Sequence, residues 1–184
     1  MGQNKALMPF HGIPLIQRVA ERVIPVAAEV NIISSNEPDY RFLNLPVIPD
    51  RIPGKGVFGG IYTALLVSGF PFVAPVGCDL PFISATLLQA ELNLLIDCGA
   101  DVVIPESQNG LEPLHAIYRQ TTCLPLVERA LHAGDNRIVS WFDDAVIRIF
   151  SRSEIIAVDP NPLIFLNLNR PEEFKQAIDN TEVD

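Results

Sequence analysis

Two aspartates, a lysine and one glycine-rich stretch have the residue types and spacing that suit phosphate chemistry. Asp79 stands just past the apolar run Phe72 to Val76. A strand there delivers its carboxylate to the carboxyl edge of a sheet, where the ligands of open α/β folds bind and where a magnesium-bound triphosphate would lie. The same spacing serves an ordinary turn cap before Pro81, and on residue pattern alone the two readings weigh equally. Asp50 closes a second short run, Pro46 to Pro49, and is followed by Gly54, Lys55, Gly56, Val57, Phe58, Gly59 and Gly60. Such a loop entering a helix lets backbone N–H groups approach a nucleotide closely. Taken alone, it is no more than a flexible strand-to-helix connection. Lys5, in a polar amino-terminal stretch, offers a phosphate counter-charge, although an exposed lysine is more often solvated surface.

Other chemistries find little support. His11, His115 and His132 show no metal-ligand spacing, and no Ser or Cys sits in a nucleophile elbow, so a covalent mechanism is not indicated. Cys78, Cys98 and Cys123 are odd in number and widely spaced, as free thiols in a reducing, cytoplasmic compartment would be. With 13 Lys and Arg against 22 Asp and Glu, the net charge is −9, and no basic stripe is present for nucleic acid. No apolar run approaches a membrane span, so neither nucleic acid nor membrane is expected as a partner.

The elements that must position these residues follow from periodicity. Leu15, Ile16, Val19, Ala20 and Val23 recur at helical spacing after Pro14 and stop at Pro25. Val30 to Ser34 and Pro46 to Pro49 read as short strands, Ile61 to Leu66 as a helix, and Phe72 to Val76 as a strand buried on both faces. Ser84 caps a helix carrying Leu88, Leu92, Leu95 and Ile96. Asp101 to Pro105, Leu114 to Tyr118 and Ala145 to Phe150 follow as strands, with helices over Leu124 to Leu131 and Pro171 to Ile178. Alternating strands and helices predict a single-domain three-layer α/β/α sandwich with a mostly parallel sheet, spanning residues 1–184. Residues after about 105 are less regular and are expected to form a lobe beside the sheet.

Several segments, in one order, carry a family resemblance. They are Met1-Gly2-Gln3-Asn4-Lys5-Ala6-Leu7, Pro14-Leu15-Ile16, Gly59-Gly60-Ile61, Cys78-Asp79-Leu80-Pro81-Phe82, Glu112-Pro113-Leu114-His115-Ala116-Ile117-Tyr118 and Phe165-Leu166-Asn167-Leu168-Asn169-Arg170-Pro171-Glu172-Glu173. Nearly end to end, the chain resembles the molybdenum cofactor guanylyltransferases, Rossmann-like enzymes that join GMP from GTP to molybdopterin and release pyrophosphate. The resemblance implies that Lys5 contacts phosphate, that Asn36 and Asp50 contact the guanosine part of GTP, and that Gly59 and Gly60 line the nucleotide. It makes Asp79 the ligand of Mg2+, and Asn167 and Asn169 contacts on the molybdopterin side or supports for the strand end bearing the site. The partners implied are GTP, molybdopterin, other cofactor-biosynthesis proteins and recipient molybdoenzymes. A molybdopterin cytidylyltransferase, another transferase of the superfamily and a non-catalytic molybdopterin-binding homologue remain as alternatives.

Two departures from the family pattern matter. Asn4 stands where the family usually has Asp, which removes a charge beside Lys5 and is expected to loosen that loop. The family also begins with a strand and a Leu-Ala-Gly-Gly-x-Ser-x-Arg loop immediately before the Met-Gly pair. The expectation is therefore that the biological chain extends upstream of Met1.

Overall fold

The structure is a computed structural model that describes residues 4–135 and 137–168. The expected helix over Pro171 to Ile178 lies outside those residues. A two-stranded hairpin, β1 (Pro9–Phe10) and β2 (Ile13–Pro14), turns through His11 and Gly12, both at positive φ. Pro14 then opens α1 (Leu15–Val23), whose Leu15, Ile16, Val19 and Ala20 are the buried stripe that the periodicity predicts. Next come the parallel pair β3 (Ile32–Ile33) and β4 (Val47–Ile48), helix α2 (Gly56–Val67), strand β5 (Phe72–Val73) and helix α3 (Ala85–Cys98). Ser84 caps α3 by accepting from the Leu87 N–H at 3.1 Å, and Gly99 closes it at φ 68°, where a side chain would be strained.

The second half carries β6 (Val102–Ser107), β7 (Gly110–Leu111), β8 (Ile117–Arg119), α4 (Gln120–His132), β9 (Ile147–Phe150) and α5 (Arg152–Val158). In the main sheet β8 lies between β5 and β6, β9 runs along the far edge of β6, and β7 folds back on the end of β6. Three layers result, and strand alternation decides which residue faces which layer. Val102, Ile104, Ala116 and Tyr118 pack beneath α2 and α4, with Phe58, Ile61, Leu65, Cys123 and Val127. Val103 and Ile117 point the other way, against Leu87, Leu88 and Leu95 of α3, Val19 of α1 and Ile155 of α5. The three-layer α/β/α class therefore holds.

Strand directions add detail that the sequence did not carry. β3 with β4 and β6 with β9 are parallel, while β8 is antiparallel to both β5 and β6. No helix separates β6 from β8; the chain returns through β7 and a turn closed by His115 N–H to Glu112 O. A return without a crossover can only be antiparallel. The strand expected over Phe72 to Val76 is also interrupted. Val73 pairs with Tyr118 and Val76 bridges His115, so Pro75 falls opposite Ala116 in this register, and it has no N–H to give the ladder.

Candidate active site

The turn after β5 holds Asp79. Leu80 N–H donates to Gly77 O at 3.4 Å, and a Cβ added at Gly77 would fall 2.8 Å from Asp79 Oδ1. The missing side chain is what leaves room for the carboxylate over the turn. Among the described residues no hydrogen bond engages that carboxylate, whereas a turn cap would accept from a backbone N–H nearby. Its backbone carbonyl is engaged, accepting from Leu168 N–H at 3.1 Å, which draws the segment containing Asn167 to the Asp79 end of the sheet. Burial pushes the thiol of the adjacent Cys78 up to about 11, and the charge of Asp79 adds to the rise. Its own backbone hydrogen bond and the Lys5 ammonium oppose it. Lys5 thus acts electrostatically at the Cys78–Asp79 turn, and Cys78 stays a neutral thiol unsuited to nucleophilic attack.

Lys5 owes its place to Asn4. The Asn4 side chain caps the 3-10 turn Lys5–Leu7, accepting from Ala6 N–H at 3.2 Å, and its amide donates to Tyr40 OH at 3.0 Å. Ala6 packs with Ile16, Ile32, Tyr40 and Cys78. The Asn4 side chain thus acts as cap and donor together in this loop.

Asp50 is fixed more tightly. Its Oδ1 accepts from Ile52 N–H and from Thr63 Oγ1, both at 3.0 Å, and Thr63 Oγ1 accepts in turn from Arg51 N–H at 3.0 Å. Thr63 is fully buried on α2, so the helix and the Asp50 loop are one unit. Gly59 permits that union: a Cβ there would lie 2.9 Å from Ile52 O and 3.3 Å from Asp50 Oδ2. The first-turn N–H groups of α2 have no acceptor within the helix. Thr63→Val removes the donor to Asp50 and the acceptor of Arg51 together. It is expected to lower unfolding free energy by about 1–3 kcal/mol. An unchanged denaturation midpoint would show that Asp50 is held by other means.

Asp50, Gly56, Gly60, Gly77, Cys78 and Asp79 all line one cavity of about 770 Å³. The structure thus gathers Asp50, Gly60 and Asp79, with Gly59 beneath them and Lys5 beside them. Asn36 is exposed beyond β3, does not line this cavity, and engages through its backbone N–H, which donates to Ser34 Oγ at 3.2 Å. Asn169 lies outside the described residues. Sequence reasoning missed Thr63 and Gly77. Gly77 was visible as a glycine two places before Asp79, while nothing in the residue pattern tied Thr63 to Asp50.

No helix among the described residues is long and apolar enough to cross a membrane. The chain matches the MobA-like NTP transferase domain over residues 1–148. It is 32% identical over 176 residues to a molybdenum cofactor guanylyltransferase of Desulfosudis oleivorans, covering 96% of this chain and 86% of the relative. A probable molybdenum cofactor guanylyltransferase of Carboxydothermus hydrogenoformans is 32% identical, covering 97% of this chain and 88% of its own. Among solved structures, molybdopterin-guanine dinucleotide biosynthesis protein A from Archaeoglobus fulgidus superposes with a TM-score of 0.83 at 24% identity, covering 97% of this chain and 90% of that one. A 2-C-methyl-D-erythritol 4-phosphate cytidylyltransferase from Thermus thermophilus shares the fold at TM-score 0.70, with 14% identity and coverage of 95% and 92%. With two strand-end aspartates on one cavity and matches over nearly its whole length, the chain belongs to the MobA-like NTP transferase family.

Proposed function

We propose that the protein transfers GMP from GTP to molybdopterin and releases pyrophosphate. The observation that carries this reading is that Asp50, Asp79 and Gly56 at the start of α2 all line one cavity. Relatives named as molybdenum cofactor guanylyltransferases support the choice of substrates. In the reaction a terminal phosphate oxygen of molybdopterin attacks the α-phosphorus of GTP, and the bond to the β-phosphate oxygen breaks. The electron pair leaves with pyrophosphate. No protein nucleophile is needed, so the chain contributes position and charge.

Asp79 fits a magnesium ion. Its carboxylate is not committed to the turn, and among the described residues no three His, Cys, Asp or Glu gather into an all-protein cage. Magnesium characteristically takes one or two carboxylates, substrate phosphates and water. When bound, such an ion neutralises charge on the triphosphate. Lys5 places an ammonium near the same turn and stabilises the departing pyrophosphate. Asp50, immobilised by Thr63 and Ile52, accepts hydrogen bonds from the guanosine portion. Asn167 and Asn169 serve the molybdopterin side. Three thiols without a disulfide suit a cytoplasmic enzyme passing its product to molybdoenzymes.

The test is base selectivity. With magnesium present, GTP should bind at least about tenfold more tightly than CTP or ATP, a difference of about 1.4 kcal/mol, with pyrophosphate released only when molybdopterin is added. Equal or reversed preference would assign the protein to cytidylyl transfer instead.

A further inference from the structure

Asp79 takes its position from three segments that reach it from different parts of the chain. The first is the stretch before β8: Leu114 O accepts from Gly77 N–H at 3.4 Å, and the next residue, His115, bridges Val76 just ahead of the turn. The second follows α5 and reaches the turn where Leu168 N–H donates to Asp79 O at 3.1 Å. The third leaves the turn itself, with Ile83 N–H donating to Leu80 O at 3.1 Å before Ser84 caps α3. Both hydrogen bonds at Gly77, to Leu114 O and from Leu80 N–H, are 3.4 Å, long for an N–H donor. The turn is therefore held loosely by its own backbone and takes its exact place from its supports.

One buried polar pair touches all three supports. His115 follows Leu114 directly, and its ring meets Phe165 edge-on at 5.2 Å, three residues before Leu168. Glu91 stands on α3, about two helical turns beyond Ser84, with Oε1 3.3 Å from His115 Nδ1. Both side chains are fully buried, and among the described residues no aligned hydrogen bond reaches any of their four polar atoms. Stability does not account for such a pair. Removing two ionisable groups from water carries a penalty that their attraction offsets only with excellent geometry, and apolar residues of similar volume would join the same segments at least as firmly. What an apolar contact lacks is direction. An imidazole nitrogen and a carboxyl oxygen attract over a narrow range of distance and angle, so the pair sets how far the segment before β8 stands from α3.

We infer that Glu91 and His115 are positioning residues for Asp79, fixing the Gly77–Leu80 turn by tying α3 to the segment before β8 and, through Phe165, to the segment that ends on Asp79 O. Neither residue lines the cavity that Asp79 shares with Asp50, whereas Leu114 and Gly77 do. The pair therefore acts through the turn and not on a ligand. Its effect on catalysis rests on the placement of Asp79 at the triphosphate, as proposed above; its effect on the order of the turn does not.

The experiment compares the parent protein with the double variant Glu91→Leu/His115→Phe, which keeps the packing but removes the polar tie, and with Glu91→Gln, which keeps a hydrogen-bonding partner for His115. Amide hydrogen exchange, urea denaturation and the kcat of GMP transfer at saturating magnesium are measured on each. In the double variant, exchange at Gly77, Leu80 and Leu168 is expected to be at least about tenfold faster, with Ile104 in the centre of β6 unchanged. The kcat should fall at least about tenfold, since a small displacement of a group at the reacting centre is costly. Glu91→Gln should stay within about twofold of the parent in both measurements. Parent-like exchange and kcat in the double variant would overturn the proposal and leave the pair a packing element. So would equal acceleration at Ile104, faster exchange with an unchanged kcat, or a Glu91→Gln protein as impaired as the double variant. Should the double variant fail to fold, Glu91→Leu alone is read in the same way. A parent protein that transfers no GMP would overturn the proposed function instead, and exchange at the three amides would then decide the positioning by itself.

Discussion

Asp79→Asn is expected to lower the rate of GMP transfer by about 10²–10³-fold, while the unfolding free energy moves by no more than about 0.5 kcal/mol. The pairing of these two effects follows from geometry. Asp79 sits half-buried in a turn held by Gly77 and Leu80 backbone groups, and its carboxylate takes no hydrogen bond among the described residues. Removing its charge therefore leaves the turn intact, and asparagine keeps the shape. What is lost is an oxygen donor at the strand end, which affects charge development on the triphosphate rather than packing. Steady-state rates and urea denaturation of the same preparation decide the matter. If Asp79 acted only as a turn cap, the variant would lose roughly 1 kcal/mol of stability and its folded fraction would turn over at the native rate.

Asp79 and Asp50 were legible from sequence because each ends an apolar run, and the backbone alone delivers such a residue to the sheet edge. The α1 stripe and the Ser84 cap were legible for the same reason: each depends on spacing within one element. What the sequence concealed was set by contacts between elements. Thr63 looks like a neutral position on an apolar helix until the Asp50 loop packs against it. The antiparallel direction of β8 depends on the missing crossover after β6, and Pro75 breaks a strand that its apolar neighbours suggest is continuous.

The Glu91–His115 pair is the clearest case of a feature hidden from sequence, since a lone histidine and a helical glutamate carry no mark of each other. Both side chains are 0% exposed, and His115 Nδ1 lies 3.3 Å from Glu91 Oε1 without aligned hydrogen-bond geometry. Glu91 comes from α3 and His115 from the segment leading into β8, where its ring meets Phe165 edge-on at 5.2 Å. Burial raises the Glu91 carboxyl from its ordinary range to about 7, against the opposing pull of His115. Because the folded protein then holds this proton more tightly than the unfolded chain, the contribution of Glu91 is greatest at low pH. It declines as pH rises from the ordinary carboxylate range to about 7, and is constant above.

His115→Phe keeps an aromatic ring against Phe165 but removes the group that opposes the rise. The variant is expected to lose about 3–5 kcal/mol at pH 8, where Glu91 must ionise unpaired, and only about 1–3 kcal/mol at pH 5, where it stays neutral. The decline with pH should also continue to higher pH than in the parent protein. Adding Glu91→Leu should recover most of the loss at pH 8, because it removes the buried carboxylate left without a partner. Urea denaturation of the parent protein and the two variants at both pH values reads each of these differences. Equal losses at pH 5 and pH 8, or no recovery in the double variant, would mean that His115 acts through packing against Phe165 and that Glu91 is not its electrostatic partner.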